Sequence, residues 1–275
     1  MSFVRNVLTL GGGSVAAQVV SLVAVPVITR LYDPGEFGAF SIIQAVVAVI
    51  FPIATLRLNA AALLPKASAE AAQLMAAAVM AVAFTTLALG IVILAAPVDR
   101  LFGNSMTSAV LWYLPVGVAV YGLLQCAQFW KLRAQRYGRM AAGQFSEALS
   151  DRAVGIGWGL LAEPVAGGLA AGRVVGGAFH LSVLLGQGWR ELPWKLPQFS
   201  LGGIVFMTRR YRAFPLFSTP AFLLSNGARE LPTVALGAIF ASSTAGLYGL
   251  VARMLNFPML MIGDAIAKVF LQRVT

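Results

Sequence analysis

One cysteine, Cys126, and one histidine, His180, occur in 275 residues. A single thiol permits no internal disulfide, and a single imidazole permits no multi-histidine metal site. Charge is scarce as well. Only 11% of residues are Asp, Glu, Lys or Arg, where a soluble domain carries about 25%. Acidic residues are the rarest, 10 against 20 Lys and Arg. Together these shortages exclude an ordinary soluble enzyme, a disordered tail and a disulfide scaffold. What fills the chain is apolar: 59% hydrophobic residues, besides 28 glycines, with a mean hydropathy of +0.82. The composition reads as an all-α polytopic membrane protein.

From Asn6 to Thr29 no charge occurs for 24 residues. A signal peptide has a shorter apolar core, about 7–15 residues, and a small-residue cleavage site. This stretch is longer and runs directly into Arg30-Leu31-Tyr32-Asp33-Pro34, so it reads as a retained first span. A helix needs about 20 largely apolar residues to cross the hydrocarbon core. About eight segments qualify: 7–29, 38–56, 71–97, 106–129, 143–161, 166–188, 214–240 and 244–267.

Charge sorts these segments by side. With the N-terminus taken as cytoplasmic, the inner segments hold fourteen basic residues: Arg5, Arg57, Lys66, Lys131, Arg133, Arg136, Arg139, Arg190, Lys195, Arg209, Arg210, Arg212, Lys268 and Arg273. The outer loops hold two, Arg30 and Arg100. That bias fixes topology and accounts for the net charge of +10 without nucleic acid as a partner. The loops are short and carry no inserted domain. In the longest inner one, Leu201 to Arg212 reads either as an interfacial helix with a basic end or as a basic stop-transfer flank.

Eight ionisable residues fall within or near the spans: Glu147, Asp151, Arg152, Arg173, Arg229, Glu230, Arg253 and Asp264. Each costs about 2.5–3.5 kcal/mol at the centre of a lipid-facing helix. They therefore face one another or a watery cavity, and both readings stand. Glu147 and Asp151 are four apart and share a helix face with Arg152 beside them; they read as a proton or cation site or as a solvated inner-interface group. Arg173 and His180 are seven apart and share another face. Gly168, Gly172 and Gly176 form a small-residue stripe that permits close helix approach.

Several stretches carry a family resemblance. Arg30-Leu31-Tyr32-Asp33-Pro34-Gly35-Glu36-Phe37-Gly38 follows the first span, with Arg30, Tyr32, Pro34, Phe37 and Gly38 as its most specific residues. Ala54-Thr55-Leu56-Arg57-Leu58 and Leu63-Leu64-Pro65-Lys66 close the second. Tyr211-Arg212-Ala213-Phe214-Pro215-Leu216-Phe217 and Ala245-Gly246-Leu247-Tyr248 come late. In this order the chain resembles the O-antigen and capsular polysaccharide repeat-unit flippases of the multidrug/oligosaccharidyl-lipid/polysaccharide exporter superfamily. Members usually have about a dozen or more spans in two pseudo-symmetric lobes. The resemblance therefore implies a truncated member: a first six-helix lobe over 1–189, a cytoplasmic linker with an interfacial helix over 190–213, and two helices of a second lobe over 214–275. Many relatives also carry an acidic residue shortly after the arginine of the second span, where this chain has Asn59.

The resemblance implies a non-enzymatic transporter of the bacterial inner membrane, without cofactor or metal, for lipopolysaccharide O-antigen, capsule or exopolysaccharide synthesis. Its partners would be a polyprenyl-diphosphate-linked oligosaccharide, membrane lipids and other polysaccharide-assembly proteins. Arginine meets a diphosphate with bidentate, charge-assisted bonds and keeps its proton. Arg57, Arg229 and Arg253 are the preferred ligands, although Arg57 also reads as an inner-flank charge. Glu147, Asp151, Glu230 and Asp264 are left for ion coupling or pairing. The alternatives are a drug/cation antiporter of the same superfamily, whose substrate wants a net acidic lining, and a membrane-embedded polymerase or ligase, whose chemistry usually needs a sizeable extramembrane loop.

The charge asymmetry generates a topology prediction. With Cys126 replaced, single cysteines at Gly35 and Asn104 are expected to react with a membrane-impermeant thiol reagent added outside, and cysteines at Ser68 and Gln135 are not. Outside labelling at Gln135 would reverse the orientation.

Overall fold

The extended backbone of Asp33 (φ −62°, ψ 148°) and the proline after it end one helix and start the next. This kind of corner recurs along a chain that is otherwise helical. The computed structural model describes residues 3–95, 108–186, 200–252 and 255. The long helices are α1 (Phe3–Leu31), α2 (Pro34–Ala54), α4 (Ser68–Ala95), α5 (Ser108–Arg133), α6 (Tyr137–Leu161), α7 (Ala166–Leu185) and α9 (Thr219–Ile239). Two short ones, α3 (Leu58–Ala61) and α8 (Leu201–Arg210), lie between them. A π-helical turn, Phe214–Ser218, leads into α9, and helix resumes over 242–252. No strand occurs among the described residues. Among the described residues four helices are long and apolar enough to cross a membrane, namely Thr9–Leu31 of α1, then α2, α4 and α7. The fold is that of an all-α polytopic membrane protein.

α6 packs against α1 and α7, α5 against α4, α7 and α2, and α2 carries α9 on its other side. Where α1, α2, α5 and α7 meet, Ile28, Tyr32, Phe37, Phe40, Ile43, Leu114, Val118 and Leu169 form one buried cluster. The residues facing lipid are as apolar as this core: Val23, Phe84, Leu94, Leu161 and Leu224 are exposed. That inversion suits a hydrocarbon solvent, in which apolar surface needs no burial.

Boundaries differ from the sequence reading at one inner loop. The stretch 130–142, left between the candidate spans 106–129 and 143–161, is helical except at 134–136. Gln135 takes a left-handed φ of 54° and closes this tight turn. The basic side chains sit at helix ends instead, with Arg136 exposed and Lys131 buried. Arg133 donates from Nη1 to the Ala62 and Leu63 carbonyls (3.0 and 3.3 Å) and from Nη2 to the Lys66 carbonyl at 3.1 Å. It thereby holds the α3–α4 connection. α8 forms as an amphipathic helix capped by Ser200, whose Oγ accepts from Gly203 N at 2.9 Å. Ile204 and Met207 are buried, Val205 and Phe206 are exposed, and Arg209 and Arg210 occupy the last turn.

The family-like stretch after α1 is a structural corner. Tyr32 is buried, and its hydroxyl donates to the Gly155 carbonyl of α6 at 2.7 Å. Pro34 starts α2, Glu36 Oε2 accepts from the Ala166 N–H that opens α7 at 2.6 Å, and Phe37 lies in the central cluster. Gly38 approaches the Ser242 backbone so closely that a Cβ would collide with it. Arg30 is exposed.

The glycine stripe of α7 turns toward α6. A Cβ at Gly172 would meet the Asp151 carbonyl at 2.7 Å, and one at Gly176 the Glu147 carbonyl at 2.8 Å. Gly176→Leu is therefore expected to separate α6 from α7 and lower the thermal unfolding midpoint in detergent. Gly90→Ala, where nothing lies within 4 Å of the added carbon, is the neutral control.

Candidate functional site

Close approach of α6 and α7 puts charged groups from both helices into one buried cluster. Arg173 Nη1 lies 3.2 Å from Asp151 Oδ2 and 3.5 Å from Glu147 Oε1. His180 Nδ1 lies 2.7 Å from Glu147 Oε2. A carboxylate only accepts, so Nδ1 carries the proton and Nε2 of a neutral ring is left as an acceptor. Nε2 has no hydrogen-bond partner, and the His180 side chain is 1% exposed. Tyr121 of α5 completes the group. Its hydroxyl lies 3.1 Å from Glu147 Oε1 and 3.0 Å from the Arg173 carbonyl, and Arg173 Cζ sits 5.2 Å from its ring centre. Arg152 Nη2 reaches Asp151 Oδ2 at 3.6 Å.

Two sequence patterns read separately, Glu147/Asp151/Arg152 and Arg173/His180, thus form a single ionic cluster. The carboxylates do not stay solvated at the inner interface; they lie near the middle of α6 against α7. Two carboxylates face two guanidiniums, so the formal charges of Glu147, Asp151, Arg152 and Arg173 balance. The contacts observed in the cluster are internal pairs. Tyr121 escaped the sequence reading because a tyrosine on a neighbouring helix leaves no spacing signal.

A second arrangement lies at the end of α2. Leu56 and Arg57 both take left-handed φ, 50° and 55°. For residues with a Cβ such backbone costs about 1–3 kcal/mol each and persists only when its surroundings fix it. Here Ala54, Thr55, Leu58 and Asn59 are buried on either side of the turn, and Thr55 Oγ1 donates to the Pro52 carbonyl at 2.9 Å. The turn delivers half-buried Arg57 to α9, where its Cζ lies 4.2 Å from the Phe222 ring centre. Arg57 Nε has no hydrogen-bond partner, and no carboxylate pairs with Arg57 among the described residues. Burial draws the guanidinium below its usual range, yet arginine stays charged at any physiological pH. Asn59, two residues on, is fully buried with neither amide atom bonded.

The remaining site residues divide. Arg229 lies on α9 seven residues, about two turns, beyond Phe222 and is exposed; Glu230 follows it and is partly buried. Arg253 and Asp264 lie outside the described residues. Among the described residues no three His, Cys, Asp or Glu side chains gather into a metal-binding group. The family described as "Polysaccharide biosynthesis protein" matches residues 27–274. No curated protein and no solved structure matches the chain.

The cluster geometry sets a stability prediction. Removing one partner of a buried pair strands the other charge, so Arg173→Met is expected to cost about 3 kcal/mol of unfolding free energy in detergent. Adding Asp151→Asn should recover part of it. Strictly additive losses would show that the two side chains do not interact.

Proposed function

The chain belongs to the polysaccharide biosynthesis protein family, and from that premise we propose that it is a flippase for polyprenyl-diphosphate-linked oligosaccharides. It moves the diphosphate-sugar head group across the bacterial inner membrane, with its N-terminus in the cytoplasm, while the lipid tail stays in the bilayer. The product supplies O-antigen, capsule or exopolysaccharide assembly. No covalent chemistry on the sugar is required. In this reading two groups of helices alternate their opening, the first lobe and the linker preceding the second lobe that α9 begins.

The observation that carries the reading is Arg57. Arg173 of α7 and Arg152 of α6 are paired with Glu147 and Asp151, whereas Arg57 is half-buried, charged and, among the described residues, without a carboxylate. Such a guanidinium is suited to an anion brought by a substrate, and the planar fork fits a diphosphate. A cationic drug would find repulsion there. Exposed Arg229 further along α9 extends the same electrostatic preference, and Arg253 is a further proposed ligand.

Head-group recognition tests the reading. The 275-residue protein in nanodiscs of neutral phosphatidylcholine is expected to retain polyprenyl diphosphate in preference to polyprenol and to a lipophilic cation, measured by native mass spectrometry. Arg57→Ala should lower that affinity at least about tenfold and Arg57→Lys less, because the charge remains without the fork. Retention of the lipophilic cation in place of the diphosphate would favour a cation antiporter instead.

A further inference from the structure

Arg57 belongs to the α2–α3 turn, but the surface that holds its guanidinium belongs to α9. Cζ sits 4.2 Å from the Phe222 ring centre, inside the about 6 Å reach of a cation–π contact. A cation held over a ring face spends none of its N–H donors on an acceptor there, and those donors are what meet phosphate oxygens in a bidentate contact. Arg57 Nε, one of those donors, is buried without a partner. The left-handed turn at Leu56 and Arg57 fixes where the side chain leaves the backbone, and the ring sits against the guanidinium where it ends.

We propose that Phe222 is a positioning residue that presents the Arg57 donors to a diphosphate. The anion site is then composite and exists only while α9 lies against the α2–α3 turn. This rests on the head-group reading above and adds a condition to it: affinity depends on an uncharged residue that makes no contact with the phosphate.

Affinity for polyprenyl diphosphate in the same nanodiscs separates the two claims. Phe222→Leu keeps the apolar bulk and loses the π face, and it should weaken binding about tenfold. Phe222→Tyr and Phe222→Trp should stay within about twofold of the parent. In an Arg57→Ala background, Phe222→Leu should cause no further loss, since there is no guanidinium left to orient. This comparison also guards against a mere folding defect, which would lower affinity in both backgrounds. Parent-like binding by Phe222→Leu, with binding lost in Arg57→Ala, would overturn the role of Phe222 and leave the head-group reading standing. Equal loss from Phe222→Leu with and without Arg57 would also overturn it. Equal binding by the parent and Arg57→Ala would remove both.

Discussion

The pairing of Arg173 with Asp151 and Glu147 is the constraint on which the bundle depends. Four formal charges near the middle of two helices are tolerable in a bilayer only if they meet, and they meet because α7 carries glycine where α6 carries carboxylates. Gly172 and Gly176 let the backbones approach, approach brings the guanidinium within reach of both acids, and Tyr121 ties α5 to the same group. Helices α5, α6 and α7 are thereby joined by polar bonds in a medium where apolar contact alone gives little preference for one neighbour over another.

The balance of formal charges in that cluster has an electrostatic corollary. Its cations are already committed, so it offers little net attraction to a passing anion. A cation held away from the cluster has a different value, and Arg57 is held by a strained turn and an aromatic face. The protein thus separates charges that secure the helices from a guanidinium that pairs with no carboxylate among the described residues.

Much of the architecture is legible in the sequence because lipid imposes simple rules. Long apolar runs mark the helices, and Pro34 and the basic ends mark where several begin or stop. The stretch 130–142 falls between two candidate spans, whereas Lys131, Arg133 and Arg139 lie on helices. α3 went unread because four residues make no periodic signal. At the site, helix periodicity paired Glu147 with Asp151 and Arg173 with His180, since those relations lie within single helices. That the two pairs face each other is a fact about helix order in space, which one-dimensional spacing does not contain. The Arg57–Phe222 stack was hidden for the same reason: 165 positions separate the two residues.

The contact between Gly38 and the Ser242 backbone is too tight for slippage and sits near the far end of α9 from Phe222. It can serve as a fulcrum. Fifteen residues separate Phe222 from Gly237, which packs on Ile42 of α2, and at 1.5 Å per residue that is a lever arm of about 22 Å. A rigid tilt of about 10° would carry Phe222 through roughly 4 Å, enough to take the ring from 4.2 Å to beyond the about 6 Å reach of the guanidinium. A small rotation at one rim of the bundle would be amplified into the making or breaking of a single contact at the other.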